Sequence, residues 1–519
     1  MALTGGNVLT LNSSQPLAEA VAVKADRIVK VGANEEISQL VGKETKIISL
    51  NGKTVVPGFI DTHIHVADFG RLLAWIDLSE VGSIKEMQNI LRERVEKSLK
   101  GKWLLGRGWD LARFAEKRLP TRFDLDVFSP DNPVIFYHQS GQVCVVNSKA
   151  LELAGVSRLT AVPTGGAVDR DAATGELTGV LRENATNLIW NIIPEPSKEE
   201  LVEAAGLACE KILEAGVTSV HWMVLSSIEL SILQTLLAQN RLPMRVYMII
   251  PMNLLDSIMD FRSTDALALR VGGAVISADG YLASKTAALF QPYNGSEASG
   301  NLLCTQEEMK TAAAKILNMS LQLVIHAMGD KAVDAALTAI EQTSKEAPRK
   351  PARTRIEQAA VLNEELINRM KKQKVIVSVQ PCVVASEFSV YSATEHLGAK
   401  RARWLYPIKT LLKKGIPVIG GSDCPMEPLS PLLGMQTAVT REVFPEEQVT
   451  IDEALRMYTV NSAYSSNEEN IKGSIEEGKL ADLTVLSHDP RQVPPSEIEN
   501  ITVEMTIVGG RAVFSKNGP

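Results

Sequence analysis

Histidine is scarce in this chain, with seven in 519 residues, so two that stand together carry information. Cysteine is scarcer still. Cys144, Cys209, Cys304, Cys382 and Cys424 are scattered, odd in number and free of Cys-x-x-Cys spacing. That excludes a disulfide framework and a structural zinc knot, and it points to reduced thiols in the cytoplasm. Basic charge is not in excess: the formal net charge of −7 leaves no electrostatic footprint for nucleic acid. No run of about 18 uninterrupted apolar residues appears, and residues Met1 to Asn7 lack the basic segment and apolar core of a leader. A cytoplasmic protein with no nucleic-acid or membrane partner is expected.

What is present is the make-up of an ordinary globular chain, 45% hydrophobic and 22% charged. Its length exceeds one compact core and predicts a large domain with at least one further domain. Short strand-like runs open it: Asn7 to Leu11, Ala20 to Val23 and Arg27 to Val31, punctuated by Gly, Asn and Asp. Asp482 to Leu486 and Val503 to Val508 read likewise near the other end, with Gly509-Gly510 as a hairpin turn. Between them, apolar strands alternate with helix-period segments such as Ile84 to Lys97, capped at Ser83, and Glu200 to Glu214. That alternation is the pattern of βα units.

The most informative stretch is Val55-Val56-Pro57-Gly58-Phe59-Ile60-Asp61-Thr62-His63-Ile64-His65-Val66. On extended backbone, residues i and i+2 point to one face, so His63 and His65 bring two imidazoles together at the end of a buried strand. Imidazole nitrogen is a good ligand for a divalent metal such as zinc. A His-x-His pair can also be two surface histidines. The scarcity of histidine and the apolar run before the pair favour the metal reading.

This motif resembles the opening of the amidohydrolase superfamily, and later stretches follow in that family's order. Leu323-Val324-Ile325-His326-Ala327 looks like its fifth barrel strand, Arg355-Ile356-Glu357-Gln358 its sixth, and Gly420-Gly421-Ser422-Asp423-Cys424-Pro425 its eighth. Ala278-Asp279-Gly280-Tyr281 with Thr286-Ala287 is similar to a segment of the YtcJ-like branch, which includes N-substituted formamide deformylases. Gly473 to Leu483 matches the passage by which such chains leave the barrel. The resemblance implies an α/β fold: a (β/α)8 TIM-type barrel over residues 58–473, with an inserted α+β subdomain at about 71–195. It also implies a small composite β-sandwich from residues 1–57 and 474–519; two independent terminal hairpins are the alternative. Homodimers occur among such relatives.

The resemblance further implies one divalent metal ion, zinc by preference, held by His63, His65, His326 and Asp423 at the carboxyl ends of the strands. Asp423 would also move the proton of a metal-activated water to the leaving nitrogen. Read alone, Asp423 could be a turn residue and His326 a core histidine bonded to backbone. Three positions depart from the branch. A lysine that bridges two metals in many members is Val275 here, the histidine ending the sixth-strand motif is Gln358, and a Gly-His pair of the insertion is Gly141-Gln142. Val275 cannot coordinate and Gln358 offers only a neutral amide, so a single metal is expected, with Gln358 orienting water or substrate. Lys285 lies too far along, on a loop, to replace the missing lysine.

Asp279, Trp109, His138, Gln142 and His221 are candidate substrate contacts. Asp279 could instead hold a loop, Trp109 could belong to its own subdomain's core, and His221 could be a packed, hydrogen-bonded histidine. The expected activity is hydrolysis of a non-peptide C–N bond in a small-molecule amide, formamide or cyclic amide. Hydrolytic deamination of a nitrogen heterocycle is the alternative, and a barrel that binds a small molecule without catalysis is a third reading.

Overall fold

The computed structural model describes the whole chain except residues 259–260, 262–264, 347–352, 390–392 and 519. It divides into two compact units, Met1–Phe69 with Ala205–Pro519, and Gly70–Ala204.

The first unit is built on one eight-stranded parallel sheet. Its strands are β1 (Phe59–Ile64), β2 (Val217–Met223), β3 (Arg245–Pro251), β4 (Leu269–Ser277), β5 (Gln322–Ala327), β6 (Arg355–Gln358), β7 (Ile376–Val379) and β8 (Val418–Gly420), each paired with the next. Most are buried on both faces, which is why they read as apolar runs rather than alternating ones. The last strand returns to the first. Just beyond β8, the Asp423 N–H donates to the His63 carbonyl at 2.8 Å and the His65 N–H to the Cys424 carbonyl at 2.9 Å. The Thr62 hydroxyl adds a bond of 2.9 Å to the Gly420 carbonyl. These bonds join the ends of the sheet into a TIM-type barrel.

Gly421 permits the join. A Cβ there would lie 2.6 Å from the His63 nitrogen and 2.7 Å from its Cβ, so any side chain would push β8 away from β1. Inside the barrel, Val275 packs with Met223, Tyr247, Ile249 and Val324 in an apolar cluster. Lys285 is exposed in a turn beyond β4.

Strands from both chain ends make two further sheets in this unit. One pairs Arg27–Gly32, Ala20–Lys24, Ala2–Thr4 and Ile47–Ser49; the other pairs Arg511–Ser515, Val503–Val508, Leu483–Leu486, Thr54–Pro57, Asn7–Leu9 and Leu17–Ala18. Leu3, Val21 and Ile28 of the first share a buried core with Val8, Val55, Leu483 and Ile507 of the second.

The second unit has its own six-stranded sheet, formed by residues between Ile76 and Glu183. The helix Ile84–Glu96 packs its Met87 and Leu91 against Trp109, Phe114 and Phe136. Its first turn is capped as the sequence suggests, with the Ser83 hydroxyl accepting from the Glu86 N–H at 3.1 Å.

Candidate metal centre

The carboxyl ends of β1 and β8 carry the donors. His63 lies within β1, His65 one residue past it, and Asp423 three residues past β8. Their ligand atoms all lie within 4.8 Å of one another. His63 Nε2 stands 3.5 Å and His65 Nε2 3.3 Å from the same oxygen, Asp423 Oδ1. His326, at the end of β5, falls outside this close group, and burial and the neighbouring His63 bring its pKa down to about 4, which keeps the imidazole neutral. The buried His326 Nε2 has no hydrogen-bond partner among the described residues.

His63 and the strand ends beside it are held from behind, whereas His65 Nδ1 is buried without a hydrogen-bond partner among the described residues. Asp61, two residues before His63 and fully buried, accepts from the backbone N–H of His63 at 3.1 Å and of Ser422 at 2.9 Å through one oxygen. It thereby ties the ends of β1 and β8 that carry the candidate ligands together. Glu357 Oε2 accepts from His63 Nδ1–H at 2.8 Å, which turns His63 Nε2 toward Asp423. Glu357 is in turn ion-paired to Arg355, whose guanidinium also donates to the Thr62 carbonyl and, at 2.8 Å, to His221 Nδ1. Burial opposes charge on Glu357, yet Arg355 and His63 overcome it and bring the carboxyl down to about 2. Burial also works against a charged His63, but the carboxylates of Asp423 and Glu357 raise its pKa. Asp423 is depressed despite its burial, because His63, His65 and His326 face it.

Gln358 stands where the sixth-strand motif ends. Its Nε2 lies 3.4 Å from Asp423 Oδ2, and its Oε1 accepts from the Tyr406 hydroxyl at 3.0 Å. A carboxylate only accepts, so the amide nitrogen must face Asp423, and Gln358 serves the site as a donor rather than a ligand. Gln358, Ala359, Tyr406 and Asp423 all have positive φ, at 68°, 46°, 46° and 62°. Left-handed backbone costs a non-glycine residue about 1 kcal/mol or more, and its concentration here marks a place where side-chain aim outweighs backbone comfort.

The other candidates are placed as follows. His221 is buried on β2, with its ring 4.5 Å from that of Tyr247, and burial and Arg355 hold its pKa well below the usual value. Asp279 spends both oxygens on backbone amides, accepting from Met328 at 2.9 Å, Gly329 at 2.9 Å and Ala288 at 2.8 Å. Trp109, His138 and Gln142 belong to the unit Gly70–Ala204. Trp109 is fully buried there and donates to the Phe136 carbonyl at 2.9 Å. His138 meets Ser140 Oγ at 2.9 Å, and Gln142 is exposed.

Sequence reasoning did not single out Asp61, Arg355, Glu357 or Tyr406. For Arg355 and Glu357 there was a signal: two charged residues at i and i+2 on a strand otherwise buried on both faces must be paired. Tyr406, in an irregular segment far along the chain, gave none.

Two imidazole nitrogens converging on one carboxylate oxygen, with a third buried imidazole nitrogen unpartnered nearby, fit a divalent ion with nitrogen and oxygen ligands. With that geometry, similarity to known proteins becomes informative. The model of the amidohydrolase family matches residues 46–514. The chain is 32% identical over 529 residues to YtcJ of Bacillus subtilis (strain 168), covering 99% of each. It is 28% identical over 538 residues to the N-substituted formamide deformylase of Arthrobacter pascens, covering 99% of this chain and 98% of that one. Among solved structures, an uncharacterised metal-dependent hydrolase from Pyrococcus furiosus superposes with a TM-score of 0.76 at 30% identity, covering 95% of this chain and 99% of that one.

Proposed function

Since this chain belongs to the amidohydrolase family, we propose that it is a metal-dependent hydrolase that cleaves a non-peptide C–N bond in an amide, formamide or cyclic amide. The observation that carries this reading is the division of labour on Asp423. One oxygen faces both histidines, while the other faces the Gln358 amide. His63, His65 and Asp423 would hold one divalent ion, zinc by the nature of the donors, with His326 beside them. When bound, such an ion polarises a carbonyl and lowers the pKa of water from about 15.7 toward 7.

The chain's own residues do the rest. Asp423 takes the proton of the attacking water and returns it to the leaving nitrogen. Gln358 Nε2 donates toward Asp423 and fixes the angle of that carboxylate, while Tyr406 keeps the amide from rotating. Glu357, clamped by Arg355, fixes the ring of His63. The formamide deformylase among the relatives supports formamides as the first substrates to try. Five free cysteines support work in a reducing compartment, the cytoplasm.

The test is metal content per chain in protein purified without chelator, beside His63→Ala and Asp423→Ala, followed by a panel of formamides, cyclic amides and aminoheterocycles. About one equivalent, lost in both variants, with release of formate or ring opening is the expected result. Ammonia from aminoheterocycles alone would turn the reading to deamination. No metal even after zinc is supplied would leave a small-molecule-binding barrel.

A further inference from the structure

Gln380 is the first residue past β7, and the helix Pro381–Ser389, which carries the buried Glu387, follows at once. A residue before proline keeps extended backbone. The Gln380 carbonyl accepts from the Val383 N–H at 3.0 Å, as the residue that opens a helix does, and that position too is extended. The alternation of β7 therefore carries through Gln380, and its side chain shares a face with that of Ser378.

That face is the inner one. Arg355 on β6 is fully buried and reaches the Thr62 carbonyl on β1 and His221 on β2, although its own neighbours in the sheet are β5 and β7. Only the inside of the barrel allows that reach, and from there Arg355 donates to the Ser378 hydroxyl at 3.2 Å. Gln380 stands one layer further toward the carboxyl ends of the strands, where barrel sites lie. Val379 pairs with Gly420, which sets Gln380 level with Gly421, two residues before Asp423 and against the His63 backbone.

Gln380 is fully buried, yet among the described residues neither its Oε1 nor its Nε2 has a hydrogen-bond partner. Gln358 is the contrast, with its Nε2 facing Asp423 and its Oε1 accepting from Tyr406. A buried amide left unpaired is costly at both atoms, and a ligand that answers both relieves the cost. A carboxamide offers donors and an acceptor side by side in one plane. A carboxylate can only accept from it, and an ammonium group can only donate to it. An open-chain secondary amide is trans, with its N–H and C=O on opposite edges, and answers one atom. The amide of a small ring is locked cis, with both groups on one edge, and answers both.

We propose that Gln380 is a substrate-binding residue whose carboxamide pairs edge to edge with a cis amide. Resting on the amide-hydrolase reading, this selects a cyclic amide with a free N–H, a lactam or an imide, over an open-chain formamide.

The test is titration of δ-valerolactam and of cyclohexanone, a ring of the same shape without the N–H, into zinc-loaded wild type and Q380M, followed by NMR at neutral pH. Methionine keeps the length of the side chain and removes both polar atoms. Wild type is expected to bind the lactam at least about tenfold more tightly than the ketone, and Q380M to lose most of that preference, as for one or two neutral hydrogen bonds. Equal affinities in the wild type, or no binding of either ring, would overturn the proposal, as would a preference that survives in Q380M. Thermal melting without ligand separates binding from a structural role. Q380M is expected to melt at or above the wild-type temperature, because no bond is lost; a fall of more than about 2 °C would show that Gln380 holds the fold and would overturn the proposal. In parallel, δ-valerolactam, glutarimide and N-butylformamide are offered as substrates. If none is hydrolysed while the lactam preference depends on Gln380, the amide reading fails and the Gln380 site stands. Hydrolysis of N-butylformamide alone would keep that reading and overturn the choice of a cyclic amide.

Discussion

In the proposed reaction Asp423 has two duties, and changes of one functional group at Asp423 and Tyr406 test them. Asp423→Asn keeps the size of the side chain but removes its capacity to accept a proton, so kcat is expected to fall roughly 10²- to 10⁴-fold, measured on whichever amide the panel identifies. Tyr406→Phe leaves the metal donors intact and frees the Gln358 amide. A loss of about fivefold in kcat/KM, the worth of one neutral hydrogen bond, is expected, with metal content unchanged. Glu387 bears on stability instead. Burial and the Glu427 charge raise its carboxyl from 4.5 to about 7, so the folded state holds this proton more tightly than the unfolded chain does. Stability contributed by the protonated form is therefore lost as pH climbs from about 4.5 to about 7. E387Q cannot titrate, and denaturant melts at about pH 5 and about pH 8 should show it gaining on the wild type at the higher value. His63, His65 and Asp423 were legible because each ends an apolar run with a residue that has no reason to be there. Glu357 and Arg355 hid inside a motif read only for its last position, and Glu387 looked like any helix glutamate until its surroundings were known.

Strands were the elements most easily read, and for a physical cause. A parallel barrel buries both faces of its strands, so β5, Gln322–Ala327, stands out as a continuous apolar run closed by His326. The helix Ile84–Glu96 was equally plain, since Ser83 caps it and its apolar residues keep helical spacing. The turns after β6 and β8 were not legible, because Gln358 and Asp423 adopt left-handed backbone that their residue types disfavour. Gly421 is the hinge of this geometry. Gly421→Ala would drive a methyl group into the His63 backbone, so a loss of about 1–3 kcal/mol in denaturant melts is expected, together with lower metal content at equal zinc supply. A variant that melts and binds metal like the wild type would show that the strands have room to spare.

For the molecule as a whole, the terminal strands are fastened to the barrel by buried polar bonds as well as by their own core. Asp482 accepts from Arg245 Nε at 2.6 Å and Nη2 at 2.9 Å, and from the Gly509 N–H at 2.8 Å. Thr484 and Thr506 hydroxyls reach the carbonyls of Gly216 and Leu213 at 2.6 and 2.7 Å. Asp482→Ala strands a nearly buried guanidinium and is expected to cost about 3 kcal/mol in equilibrium unfolding. The pairing of the two chain ends was legible from strand patterns at both extremities; the bonds that anchor them were not, because nothing in the strand-like run Asp482 to Leu486 points to Arg245, more than 200 residues earlier, as a partner.

The bonds that close the barrel, from Asp423 to the His63 carbonyl and from His65 to the Cys424 carbonyl, join segments separated by most of the chain. During synthesis the two histidines leave the ribosome long before the aspartate exists, and a nascent chain therefore carries half a site. On the proposed metal site, a divalent ion met at that stage would find two loose imidazoles and no closed sheet to hold them. Tight metal capture would then report that translation has passed residue 423, and chains ended before it are expected to purify without metal.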